Sequence, residues 1–344
     1  VSGPGQTPIP ASGPDPGDAA VIARGLRKTF RTKAASIEAV CGLDLVVRRG
    51  EIFGFLGPNG AGKTTTLRML TTLLPIDGGQ ALIAGIDVAS RPAEVRRRIG
   101  YVGQRGGADL PATGRENLVL QARLQGATVA EAARRADDLI DRLELAGFAG
   151  RVARTYSGGQ RRRLEVALGI VHRPEVLFLD EPTTGLDPQN RANLWDQLRA
   201  LRAEGTTIFL TTHYLEEADA LADRLAIVDH GRVVAEGSPA ELKARLGRAT
   251  MVLEPDLPPE RLELFRRDLE RRPSVRAARA DGRLLRVEVG DALAALAAVV
   301  GVAESLGAGV RSLDLAQPSL DDVFLHQTGR SLRDGDGASS GAPA

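Results

Sequence analysis

One cysteine, Cys41, stands in the whole chain of 344 residues. No intrachain disulfide can form, a pattern that fits a reducing compartment. Lysine is scarce as well, occurring only at positions 28, 33, 63 and 243, so arginine supplies nearly all of the 45 basic residues. We read that as a bias of genomic composition. Against 44 acidic residues the net charge is +1, which argues against the strong basic field of a nucleic-acid binder and implies no polyanionic partner. No stretch reaches the roughly 18 uninterrupted apolar residues of a membrane span. Nor does a basic segment followed by an apolar run mark the start as a secretion signal. His172, His230 and His326 lie in unrelated contexts, and a single cysteine leaves no zinc-type spacing. What remains is ordinary globular composition, 43% hydrophobic and 26% charged, with length for one large domain and a smaller one.

The most informative stretch is Gly57-Pro58-Asn59-Gly60-Ala61-Gly62-Lys63-Thr64-Thr65, which matches G-x-x-x-x-G-K-[ST] at every fixed position. The mostly apolar run Glu51 to Leu56 predicts a buried strand before it. Leu67, Leu70, Leu73 and Leu74 predict a helix from Thr64 to Leu74 after it. Strand, glycine turn and helix in that order let backbone N–H groups and a helix N-terminus converge on phosphate. Lys63 then reaches the β- and γ-phosphates, and the Thr64 hydroxyl meets Mg²⁺.

Taken in order, residues 1–19 are rich in Pro, Gly and Ser and predict a tail without a core. Val21 to Ala23 and Leu43 to Val47 predict a small antiparallel sheet, with Phe30 in the polar stretch between them. Tyr101 to Gln104 is a further strand with Gln104 at its end. The middle region predicts an inserted helical subdomain. It includes a capping box at Thr128-Glu131 and a helix that stops near Gly147. A second capping box, Ser157-Gly158-Gly159-Gln160, opens a helix with Leu164, Ala167, Leu168 and Val171 on one face. Val176 to Leu179 reads as a strand buried on both faces and delivers Asp180-Glu181. Asn193 to Glu204 is an amphipathic helix, Thr207 to Thr211 a strand that delivers His213, and Leu225 to Ala235 a hairpin. A helix opening at Ser238-Pro239 ends near Gly247, the expected domain boundary. Strands and helices then alternate as a small α+β unit over 248–328, before a tail at 329–344.

In an open parallel sheet, ligands gather outside the carboxyl ends of the strands. Four such ends carry chemistry here: the phosphate loop, Gln104, Asp180-Glu181 and His213. Asp180 suits Mg²⁺, and Glu181 suits proton abstraction from an attacking water. For Asp180-Glu181 alone, a solvated strand end turning at Pro182 is the plain alternative. His213 could bridge the γ-phosphate and a neighbour, although a single histidine after a strand is commonly structural. The run Arg161-Arg162-Arg163 is read as a solvated helix face, and Trp195 and Phe265 as core or interface residues.

These motifs resemble the nucleotide-binding subunits of ATP-binding cassette transporters. The diagnostic piece is Tyr156-Ser157-Gly158-Gly159-Gln160 ahead of Asp180-Glu181-Pro182-Thr183, extended by Gly185-Leu186-Asp187, Gln104 and His213. Tyr156 stands where that family usually has Leu, and Phe30 where it more often has Tyr. The resemblance implies an α/β P-loop NTPase cassette over 20–247, with a mostly parallel sheet, an N-terminal antiparallel subsheet and an inserted helical subdomain. It implies ATP and Mg²⁺ as cofactors. Phe30 then stacks on adenine, residues Gly57 to Thr65 hold phosphate, and Thr64, Gln104 and Asp180 serve Mg²⁺. Gln104 acts as Q-loop sensor, Glu181 as catalytic base and His213 as switch. Ser157 to Gln160 and Asp187 border a nucleotide, the signature serving the one held by a second copy of the chain. The segment Pro318 to Leu325 resembles the daunorubicin/doxorubicin-resistance type of bacterial drug exporter, which has a comparable C-terminal accessory domain. That implies an integral membrane permease as partner, a place at the cytoplasmic face of the membrane, and no nucleic acid. A soluble cassette ATPase of DNA repair or translation is the main alternative, but one phosphate loop, one signature and no long heptad insertion speak against it. Glu181 and His213 speak against a regulator without turnover.

Overall fold

A computed structural model of the chain describes residues 18–31, 36–246, 249–316 and 318–329. The expected tails lie outside these apart from Asp18, Ala19 and Gly329, and so does Gly247. The chain divides into two units that part between Ser238 and Pro239. This is ahead of the boundary expected at Gly247, because the helix at Pro239–Leu246 packs with the helix at Leu320–Thr328.

In the first unit, β1 (Ala19–Arg31) and β2 (Ser36–Arg48) pair antiparallel, with Phe30 inside β1. The chain continues through β3 (Ile52–Leu56), α1 (Lys63–Leu70), β4 (Gly78–Ile83), β5 (Ile86–Asp87), α2 (Pro92–Arg98) and β6 (Ile99–Val102). The helices α3 (Gly114–Leu124), α4 (Val129–Arg142) and α5 (Gly158–Ile170) follow. Then come β7 (Val176–Asp180), α6 (Pro188–Ala203), β8 (Thr207–Thr212), α7 (Leu215–Leu221), β9 (Arg224–Asp229) and β10 (Arg232–Gly237). One sheet, ordered β2-β1-β4-β5, is antiparallel. The other, ordered β10-β9-β3-β8-β7-β6, is parallel from β9 to β6.

The apolar runs of β3, β7 and β8 are explained by cores on both faces of this parallel sheet. On one face Phe53, Phe55 and Phe178 surround Phe209 at ring-centroid distances of 5.7, 5.4 and 5.5 Å. Such pairs contribute roughly 0.5–1.5 kcal/mol each beyond burial. On the other face Leu177, Leu179, Ile208 and Leu210 pack into a core shared with Leu164, Leu194 and Leu198 from the helices. Alternation along each strand therefore serves two cores at once, and the parallel pairing brings the carboxyl ends of these strands to one edge of the sheet.

Several boundaries differ from the sequence reading. Helix α4 ends at Arg142 rather than near Gly147 because Glu144 takes a left-handed φ of 55° and the Leu145 N–H returns to the Ile140 carbonyl at 2.8 Å. Helix α6 starts at Pro188, earlier than Asn193, since Asp187 caps it. Helix α3, which periodicity alone does not single out, opens on a capping box of Thr113 and Glu116.

The second unit comprises α8 (Pro239–Leu246), β11 (Ala249–Asp256), α9 (Pro259–Glu270), β12 (Val275–Asp281), β13 (Leu284–Val289), α10 (Ala292–Ser305), β14 (Gly309–Ala316) and α11 (Leu320–Thr328). Its antiparallel sheet runs β12-β13-β11-β14, and its core gathers Phe265, Leu285, Val287 and Val299.

Candidate active site

Helix α1 follows Gly62, whose φ is 98°, and has no side-chain cap and no acidic residue in its first turn. By contrast α3, α4, α5 and α6 are capped by Thr113, Thr128, Ser157 and Asp187. The first-turn N–H groups of a helix have no partner within it, and at the start of α1 such groups are suited to phosphate oxygens. Only glycine fits at position 62, since a Cβ there would stand 2.4 Å from the Ala39 carbonyl oxygen.

Lys63 is 4% exposed, and its ammonium donates to the carbonyls of Gly57 at 2.7 Å and Pro58 at 3.1 Å. It also lies 3.6 Å from Glu181 Oε1. Asp180, 1% exposed at the end of β7, accepts from the Thr64 hydroxyl at 3.1 Å and the Thr211 hydroxyl at 2.7 Å. The next residue leaves the strand abruptly. Glu181 has a φ of 47°, and its N–H reaches Thr211 through both the carbonyl and the hydroxyl at 3.1 Å. A left-handed non-glycine residue stores about 1–3 kcal/mol of strain, a pattern that clusters at functional sites. That turn sets the Glu181 carboxylate 3.3 Å from His213 Nδ1. Burial pushes the Glu181 carboxyl up, but His213 and Lys63 beside it outweigh burial and hold it below its ordinary value.

The structure thus brings Lys63, Thr64, Asp180, Glu181 and His213 into one chain of contacts. Gln104 lies two residues past β6 and lines a surface pocket together with Glu181 and Gly158. At the start of α5 the Ser157 hydroxyl accepts from the Gln160 N–H at 3.3 Å, and Gln160 Oε1 accepts from the Ser157 N–H at 3.1 Å. Ser157 and Gly158 are exposed. Asp187 accepts from the Asn190 N–H at 2.9 Å, and Asn190 packs against Gly159. Phe30, on β1 of the antiparallel sheet, is 40% exposed, with the Lys28 ammonium over its ring at 5.9 Å from the centroid. Tyr156 is buried, donates to the Phe148 carbonyl at 2.7 Å and meets the Phe148 ring edge-on at 4.9 Å. Its hydroxyl therefore has a partner inside the core.

One reading needs correction. Arg162 does not lie on a solvated helix face: it is buried and donates to the carbonyls of Gly103, Asp180 and Pro182. Its spacing holds the signal, three residues after Gly159 and four before Val166, both buried. Thr211, which supports Asp180 and Glu181 together, sits within an apolar strand and carries no motif signal in the sequence.

The donor set also fits a hard cation. Among the described residues no group of three or more His, Cys, Asp or Glu side chains could hold a metal alone. Thr64 and Asp180 can, however, contribute oxygens to Mg²⁺, which usually completes its shell with water and substrate phosphates.

An uncapped phosphate loop beside an Asp-Glu strand end, with a Ser-Gly-Gly-Gln helix start in the same unit, defines an ATP-binding cassette. The chain belongs to the ATP-binding proteins of ABC transporters and is an ATPase of that family. The ABC transporter family matches residues 40–184, and the family described as ATP-binding protein DrrA1-3-like, C-terminal domain, matches residues 237–328. The daunorubicin/doxorubicin resistance ATP-binding protein DrrA of Streptomyces peucetius is 48% identical, over 92% of this chain and 94% of its own. The Nod factor export ATP-binding protein I of Ralstonia nicotianae is 39% identical, over 94% of this chain and 98% of its own. Among solved structures, a dimeric ATP-binding cassette in a post-hydrolysis state with ADP and Pi matches at a TM-score of 0.59 and 26% identity. It covers 63% of this chain and 98% of its own.

Proposed function

We propose that this chain powers export of a drug or antibiotic by hydrolysing ATP as a pair of copies bound to a separate membrane permease at the cytoplasmic face. The observation that carries the chemistry is the contact chain from Lys63 through Glu181 to His213 at one edge of the parallel sheet. On ATP binding, Lys63 exchanges the Gly57 and Pro58 carbonyls for β- and γ-phosphate oxygens, while the open first turn of α1 donates to the same phosphates. Thr64, Asp180 and Gln104 would hold Mg²⁺, which when bound would neutralise part of the phosphate charge. Glu181, kept ionised, takes the proton of the attacking water, and His213 holds its carboxylate in position. Phe30 stacks on the adenine.

Pairing is supported by the exposed start of α5 and by the dimeric state of the similar cassette. Export is supported by the resistance and export relatives, which match along nearly their whole length. Among the described residues no helix is long and apolar enough to cross a membrane. A DNA-repair or translation role has no support among these relatives.

Ser157→Ala tests the signature. Loss of the cap should destabilise the protein by roughly 0.5–2 kcal/mol, while turnover falls further than ATP affinity because the hydroxyl also meets a γ-phosphate. Steady-state ATPase per folded protein and a nucleotide titration measure both. Full turnover with only a lower melting temperature would reduce Ser157 to a cap.

The second unit is proposed as a coupling or assembly module, since every phosphate, Mg²⁺ or water-activating candidate precedes it. A chain ending at Ser238, where the two units part, should stay folded and bind ATP yet fail to associate with its permease or support transport. Nucleotide affinity and membrane recovery with the co-expressed permease check this. Lost ATP binding would make the unit integral to the motor, and unchanged transport would deny it a coupling role.

A further inference from the structure

The start of α5 is tied to two other parts of the cassette through one side chain. Arg162 is 8% exposed. Its Nε donates to the Pro182 carbonyl at 2.7 Å and its Nη2 to the Asp180 carbonyl at 3.2 Å, which brackets Glu181 from both sides. Its Nη1 donates to the carbonyl of Gly103, the residue before Gln104, at 2.9 Å, and to Glu165 Oε2 at 3.0 Å. Glu165 is itself 8% exposed and fills the space beside Gly106, where a Cβ would meet its Oε1 at 1.9 Å. A buried arginine is costly unless its donors are met. Here a planar fork spans three backbone carbonyls and one carboxylate, a geometry that lysine cannot reproduce.

The bracketed peptide is the strained one. Glu181 keeps its left-handed φ only if its surroundings over-determine it, and two of the fixing contacts come from Arg162. The same side chain fixes the root of the Gln104 loop and stands two residues from Gln160. Movement of the α5 start must therefore reach Glu181 and Gln104 of the same chain.

We propose that Arg162 is a positioning residue that couples the two nucleotide sites: contact of Ser157 with the nucleotide held by a paired copy sets, through Arg162, the aim of Glu181 on the chain's own nucleotide. This rests on the paired reading of the cassette. Arg162 touches no phosphate in this scheme, so its loss affects turnover and cooperativity and leaves nucleotide affinity alone.

The test is an ATP titration of turnover with the full-length chain, comparing wild type, Arg162→Lys and Glu181→Gln, with melting temperatures alongside. Arg162→Lys keeps a charge for Glu165 but cannot serve three carbonyls together. We expect kcat to fall about tenfold with the Kd for ATP within twofold. The Hill coefficient should drop from the wild-type value above 1 to about 1. Glu165→Gln, which removes the countercharge of Arg162 and weakens its hold on the guanidinium, should show a smaller change in the same direction and serves if Arg162→Lys does not fold. Wild-type kcat and Hill coefficient in folded Arg162→Lys, or in Glu165→Gln where it alone folds, would overturn the proposal. If that happens while Glu181→Gln is inactive, only the Arg162 link fails. If Glu181→Gln turns over normally, or wild-type turnover is hyperbolic in ATP, the paired catalytic reading fails and the link goes with it.

Discussion

Glu181→Gln should bind ATP at least as well as wild type and turn it over roughly 100- to 10,000-fold more slowly, the usual worth of a positioned general base. The glutamine keeps the size of the side chain and can occupy the same turn, so the fold is not the target. What disappears is the proton acceptor. Affinity should not suffer, because the lost negative charge lies beside the place of the γ-phosphate, 3.6 Å from Lys63 and 3.3 Å from His213. Single-turnover hydrolysis with radiolabelled ATP separates the chemical step from product release. A variant that hydrolyses within a few-fold of wild type would remove Glu181 from the role of base.

Lys63→Ala should act earlier, at binding. In the structure the ammonium is buried and held by two loop carbonyls, so it is already placed where phosphate arrives and needs only to exchange acceptors. A hydrogen bond to a charged group contributes about 1.5–3 kcal/mol, and its loss predicts a Kd for ATP raised roughly 10- to 100-fold, with turnover lost as well. Arginine should not rescue the site, because a planar fork cannot occupy the niche of a compact point charge. Titration with a fluorescent nucleotide reads the affinity. An unchanged Kd would mean that the open first turn of α1 alone carries phosphate recognition.

The sequence is legible where local pattern and chemistry coincide. The phosphate loop shows itself by glycine and lysine spacing, and the structure explains why α1 needs no cap there. Asp180 and Glu181 stand out because a run buried on both faces, with Leu177 and Leu179 to one core and Val176 and Phe178 to the other, ends abruptly in two carboxylates. Arg162 is hidden for the opposite reason. Its partners are backbone carbonyls 59, 20 and 18 residues away in sequence, and a carbonyl carries no residue-type signature. The run of three arginines then reads as solvent-facing although the helical spacing from Gly159 to Val166 marks the middle one as inward. Thr211 is concealed in the same way, as a hydroxyl inside an apolar strand. The end of α4 is missed because Glu144, not a glycine, adopts the left-handed turn. The unit boundary moves to Ser238 because α8, which looks like the last helix of the cassette, finds its packing partner in α11 about 80 residues later, a contact that no local pattern announces.

The central claim is that catalysis is shared between two copies, and it is tested most directly by the molar mass of Glu181→Gln in solution. Slow hydrolysis should trap the closed pair, so light scattering after size exclusion should show one chain per particle without nucleotide and two with ATP and Mg²⁺. A Lys63→Ala, Glu181→Gln double variant should remain a monomer under both conditions. A Glu181→Gln protein that stays monomeric with saturating ATP, while the wild-type monomer hydrolyses ATP at an undiminished rate, would contradict the account.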